Sequence, residues 1–94
     1  MTKRQAVRRC KWFWKHALKG GVDKKMILAS LPELEQTEFK NYRHQCPLCA
    51  YVKERNGICG STCPLYTQFL VDCHRLGFDS APQEFAEQVM KIKE

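Results

Sequence analysis

The chain has 94 residues, six of them cysteine, and a formal net charge of +6. Its length fits one small domain, residues 1–94, in which a metal or disulfide staple commonly supplements a limited core. No segment approaches the ~20 consecutive apolar residues of a bilayer span, and the opening MTKRQAVRRC lacks the apolar run of a secretory leader, so a cytoplasmic chain with reduced thiols is expected.

Residues 1–20 predict a basic amphipathic helix, from about Thr2 to Lys19 and ended by Gly20-Gly21. On a wheel of about 100° per residue, Phe13, Ala6, Ala17, Cys10, Trp14, Val7 and Leu18 fill one arc. Cys10 lies at its centre and reads as a core residue, as do Phe13 and Trp14. The opposite arc carries Arg4, Arg8, Lys11, Trp12, Lys15 and Lys19. Residues 1–25 hold nine Lys/Arg against one acid, Asp23, a local charge of +8; residues 26–94 hold seven against nine acids, a charge of −2. A positive charge so concentrated points to a partner surface. An exposed Trp12 among cations suits a stacked nucleobase, with the cations on phosphates. These six residues are therefore candidate nucleic-acid contacts, for DNA or RNA. The bland alternative is that a neighbouring loop covers Trp12. A membrane surface would need the same apolar arc that so short a chain needs for its core.

Residues 22–43 read as helical scaffold. Asp23 is an N-cap for DKKMILASL, and Ser30 and Glu33 stand at capping-box spacing with Pro32 in the first turn. Leu31, Leu34, Phe39 and Tyr42 supply apolar contacts.

Residues 44–77 carry the densest chemistry. Cys46 and Cys49 form C-x2-C, and Cys59 and Cys63 form C-x3-C, with Gly60 and Ser61 allowing the wider loop. In a reducing compartment such pairs read as metal ligands before disulfides. Four thiolates suit a tetrahedral zinc ion with no open position, which is a structural site. Pro64 predicts a helix over CPLYTQFLVDCHRLG, from Cys63 as N-cap to Gly77. Asn56-Gly57 signals a hairpin, and the alternative is that AYVKERN is a helical turn ended by Gly57. A C-x2-C turn, a short hairpin and cysteines at a helix N-terminus resemble the treble-clef zinc sites. Cys73 is either a small core residue or an alternate ligand replacing Cys59. His44 and His74 are weaker candidates.

Residues 80–94 predict a C-terminal helix, with Ser80 and Gln83 at capping-box spacing and Phe85, Val89 and Ile92 on one face. The segments CPLC at 46–49, CGSTCPLY at 59–66, Cys73 and SAPQEF at 80–85, behind a Trp-containing first helix, resemble small phage- and prophage-encoded proteins with paired cysteines. The resemblance implies zinc and a phage context, and no settled activity. No catalytic constellation, phosphate loop or small-molecule site is recognisable. The expected protein is thus a mainly α, zinc-stapled domain that is not an enzyme and acts by binding nucleic acid. The alternative is a phage effector that docks on a host protein, in the host cytoplasm, and inhibits or redirects it.

Overall fold

Thr2 sets the start of the first helix in this computed structural model. Its Oγ accepts a hydrogen bond from the Gln5 amide at 3.1 Å, while its own amide donates to Gln5 Oε1 at 2.8 Å. This reciprocal capping box satisfies two amides that a helix start leaves open. Helix α1 runs Lys3–Trp14 and tightens into a 3₁₀ turn, Lys15–Ala17. Ala6, Val7, Cys10, Phe13, Trp14 and Ala17 are buried as the wheel requires. Leu18 is the exception and lies at the surface, because the tighter turn shifts the phase of the side chains. The structure describes residues 1–18, 22–78 and 80–94, without the side chains of Cys59 and His74. The expected helix end at Gly20-Gly21, and Lys19, lie outside the described residues.

The remaining elements are short helices. They are α2 (Lys24–Ser30), α3 (Glu33–Asn41), α4 (Pro47–Glu54), α5 (Cys59–Thr62), α6 (Pro64–Phe69), α7 (Cys73–Leu76) and α8 (Pro82–Met90). The fold is mainly α, with no strand among the described residues. Helix α1 packs against α4 on one side and α8 on the other. The most deeply buried large side chains of the core include Phe13, Phe39, Ile27, Ile92, Val7 and Val89. No helix is long and apolar enough to cross a membrane among the described residues.

Prolines decide where several helices begin. Asp23 caps α2 as expected, its carboxylate accepting from the Met26 amide at 2.9 Å. Ser30 does not cap α3. It ends α2, with its Oγ donating to the Ile27 carbonyl at 2.8 Å. Leu31 precedes Pro32 and is extended (φ −73°, ψ 155°), as a residue before proline prefers, so α3 starts at Glu33 and Pro32 holds the cap position. The same rule displaces the expected Ser80 cap. Ala81 precedes Pro82 and becomes the N-cap of α8, while Gln83 donates instead to the Leu18 carbonyl.

The expected hairpin and treble-clef arrangement are not formed. Ala50–Glu54 is helical and continues α4, whose Leu48 and Val52 are buried one turn apart. Asn56 takes the left-handed conformation (φ 50°), and the Gly57 amide donates to the Val52 carbonyl at 3.0 Å. Asn-Gly here closes a helix rather than a two-residue hairpin turn. Gly57 is also pressed against Thr62, where a Cβ would lie 2.2 Å from the threonine Oγ1. The helix expected from Pro64 to Gly77 breaks in two. Leu70 adopts φ 60° and points to solvent, leaving α6 and α7 as separate pieces. Gly77, with φ 87°, still ends the second.

Two polar clasps hold the outer helices. Gln68 exchanges two hydrogen bonds with the backbone of Lys93, at 2.8 and 2.7 Å, and pins the C-terminus onto α6. Arg9 pairs with Glu35 and Glu38 of α3, and the Tyr42 hydroxyl donates to Glu38. Burial, and then the hydrogen bond to Glu38, push the Tyr42 phenol up from 10.0 to about 12, against the opposing pull of Arg9. The fold thus favours the neutral phenol. That contribution is complete below pH 10 and is lost as pH rises from 10 towards 12. Denaturant unfolding across this window should show a steeper alkaline loss in the wild type than in Tyr42→Phe. Equal losses would mean that the phenol does not report on folding.

Candidate metal centre

Three chain segments bring cysteines together. Cys46 stands at the N-cap of α4 in an extended conformation (φ −136°, ψ 126°), and Cys49 lies in that helix's first turn. Pro47 follows Cys46 and Pro64 follows Cys63, so each cysteine precedes a proline that opens a helix. Cys63 is buried at the N-cap of α6, as expected. Cys73 opens α7 and is half-buried. The backbone of Cys59 opens α5, and its thiol is the one predicted ligand outside the described groups.

The fifth sulfur comes from α1. Cys10 is 1% exposed, packed in the main core cluster with Cys63. It is a core residue, as its place on the wheel implies, and it also reaches the cysteines of α4. Hydrogen bonding from Cys10 and then Cys49, with Lys24 nearby, favours the Cys46 thiolate and holds this thiol below its ordinary range. Cys10 is pushed up, first by its bond to Cys46 and then by burial. Cys49 is raised for the same reasons, in the same order. Burial and then the charge on Cys46 raise Cys73. Cys63 lies in electrostatic range of both Cys10 and Cys49. Cys46 is thus the cysteine whose thiolate its neighbours favour, and Cys10, Cys49 and Cys73 are shifted the other way.

Among the described residues no group of three or more His, Cys, Asp or Glu side chains is already arranged to hold a metal ion. The donor chemistry fits a soft cation, since sulfur is the only donor type gathered here in number.

A cleft of about 680 Å³ opens beside the cluster, lined among others by Cys46, Cys49, Cys73, Lys24, His44 and Asp72. The Lys24 ammonium donates to the His44 carbonyl at 2.6 Å, which fixes a cation beside Cys46. The backbone just before Cys46 is strained: His44 (φ 53°) and Gln45 (φ 54°) are both left-handed. Consecutive non-glycine residues in that region cost free energy, and such strain clusters at functional sites. Here the two residues turn the chain just before Cys46 caps α4. The His44 side chain lines the cleft without joining a metal-binding group. No family model, curated protein or solved structure matches the chain.

The basic face of α1 is less open than its sequence implies. Arg4 and Arg8 are exposed, and both pair with Glu94, at 3.6 and 2.7 Å. The hydrogen bond from Arg8 keeps the Glu94 carboxyl below its ordinary range. Lys15 is exposed and Lys11 half-buried. Trp12 is not a free aromatic. It packs against the core, stacked on Phe39 at 5.9 Å, with the Arg9 guanidinium 5.0 Å and the Lys15 ammonium 5.9 Å from its ring. The expectation of an exposed Trp12 is corrected: α3 covers one face and cations crowd the ring. Sequence reasoning placed Trp12 on the correct side of α1 but had no means to see that α3 lies there.

Proposed function

We propose that this chain is a non-enzymatic zinc-binding protein that engages nucleic acid through the cationic edge of α1. The observation that supports the zinc reading is that Cys46, Cys49 and Cys73 line one cleft, and that Cys46 and Cys73 pack against the core cluster that holds Cys63. Four thiolates around zinc form a closed structural site, which stabilises a fold and offers no position for a catalytic water. A bound zinc with four thiolates carries a net charge of −2, and Lys24 is placed to offset part of it. Cys59 stays in the candidate set with Cys46, Cys49, Cys63 and the alternate Cys73. A phage-encoded origin rests on the resemblance of the cysteine motifs alone.

The nucleic-acid reading is supported by the absence of acids from α1, with Lys3, Arg4, Arg8 and Lys15 exposed along it. Contacts of this kind are to phosphates and carry no sequence information. Trp12 is assigned to the fold and not to a base. The test is titration of random DNA and RNA at several salt concentrations. Wild-type affinity should fall linearly on a log–log plot, and Arg8→Glu with Lys15→Glu should lower the slope by ~1 for each phosphate no longer neutralised. The zinc content of the variant should be unchanged. If the wild type binds neither polymer at low salt, the reading fails. A stoichiometric host protein retained after nuclease treatment would then favour the effector alternative.

A further inference from the structure

The cleft beside the cysteines is walled by rings that the fold sets against one another. Trp14 meets Phe85 edge-on at 4.6 Å, and Phe85 meets Phe78 at 6.2 Å. All three line the cleft of about 680 Å³, and small-molecule sites span ~300–1,000 Å³. The Lys24 ammonium stands 5.4 Å from the Phe78 ring and donates to the His44 carbonyl at 2.6 Å. The row of rings therefore ends in a cation held in place. We propose that this cleft binds a small organic anion, a flat aromatic body carrying one carboxylate or phosphate, with the body against Phe78 and Phe85 and the anionic group on Lys24 and Lys40.

The charges of the lining decide the sign of the ligand. Lys24 and Lys40 line the cleft against one acid, Asp72. That acid is already engaged, since its carboxylate accepts from the Arg75 amide at 2.9 Å at the start of α7. An ammonium has three donors, and Lys24 uses one of them on His44, which leaves two for a ligand. Lys40 is exposed and has no hydrogen bond or ion pair among the described residues. It supplies a cation apart from the one that offsets the cysteine thiolates. Tyr42 also lines the cleft, but its hydroxyl donates to Glu38, so it adds ring surface rather than a donor. Trp14 and Phe85 are buried core residues, so this part of the wall is preformed and little is lost in ordering it. A flat ring suits such a wall better than a flexible chain, because offset and edge-to-face contacts add to burial. The left-handed turn at His44 and Gln45 supplies the carbonyl that fixes Lys24, which gives its strain a task. The inference uses no metal and none of Arg4, Arg8 and Lys15, so it stands apart from the zinc and nucleic-acid readings.

The test titrates the full reduced chain with 2-naphthoate and follows backbone amide shifts by two-dimensional NMR. Saturable shifts confined to the cleft, at Lys24, Lys40, His44, Asp72 and Phe78, are expected, with half-saturation at ~1 mM or below. 2-Naphthylmethanol has the same rings and no charge, and should bind at least ~10-fold more weakly for want of a charge-assisted hydrogen bond. Decanoate, charged but without rings, should also bind more weakly. Lys24→Met with Lys40→Met should erase the preference for naphthoate over the alcohol. If that double variant does not fold, the comparison of ligands on the wild type still decides. Adenosine monophosphate offers the same chemistry on a phosphate. Tighter binding than naphthoate at the same amides would place the ligand among nucleotides, and weaker binding among carboxylates. No saturable shift with either anion, equal binding of the alcohol or of decanoate, or shifts at Arg4, Arg8 and Lys15 in place of the cleft would each overturn the inference.

Discussion

Removing zinc with a strong chelator under reducing conditions is expected to melt the helices, and returning zinc is expected to restore them. The size of the effect follows from coupling. A structural zinc site contributes ~10–16 kcal/mol of apparent binding free energy in small zinc modules at neutral pH. A domain of this size has a net stability of only ~5–15 kcal/mol. Helices α5, α6 and α7 are four to six residues long, far below the ~12–15 residues at which an isolated helix becomes marginal in water. They depend on what they are attached to. Circular dichroism during chelation should therefore show a loss of helix well beyond the cysteine segment. Helical signal that survives full removal of the metal would show that the apolar core alone holds the fold.

The second large effect concerns the two tryptophans of α1. Trp14→Ala should destabilise the protein by ~3–5 kcal/mol, the usual range for emptying a buried aromatic site. Trp14 is 4% exposed and meets the edge of Phe85 at 4.6 Å and Phe13 at 5.5 Å. It joins α1 to α8, so its loss opens that interface. Trp12→Ala should also destabilise, by a smaller ~1–3 kcal/mol, since it gives up a half-buried stack on Phe39 and its cation neighbours. Urea unfolding of both variants measures the pair. If Trp12→Ala left stability unchanged and instead weakened single-stranded nucleic-acid binding by the ~1–3 kcal/mol of a stacked base, the ring would be a contact surface after all.

What the sequence made legible was mostly what one helix shows about itself. The apolar arc of α1 was readable because six of its side chains repeat at the helical period and have nowhere else to go. Asp23 was readable as a cap because no proline disturbs the residues that follow it. Ser30 and Ser80 were misread for one shared reason. Each stands two residues before a proline, and the intervening Leu31 or Ala81 is driven out of the helical region, so the helix starts later than the spacing suggests. Asn56-Gly57 was ambiguous because the left-handed conformation that closes a hairpin also closes a helix, and only the burial of Leu48 and Val52 separates the two.

The harder losses were long-range. Sequence spacing groups cysteines that are near neighbours in the chain, which is why Cys46, Cys49, Cys59 and Cys63 stand out and Cys10 does not. The wheel gave the direction of the Cys10 side chain without naming the helix it meets. The same blindness applied to the basic face. Glu35, Glu38 and Glu94 are remote in sequence, yet the fold brings them to Arg9, Arg8 and Arg4 and withdraws charge from the surface. Lys24 beside Cys46 was likewise invisible, because its role depends on a turn of backbone at His44 and Gln45 that no local propensity favours.

The most direct measurement is the metal content and thiol state of the intact protein, purified in reductant without added metal and weighed by native mass spectrometry. One zinc per chain, with all cysteines reduced, is the predicted result. A folded chain that carries no metal and holds a disulfide such as Cys46–Cys63, or a brown iron–sulfur protein in place of a zinc one, would contradict it.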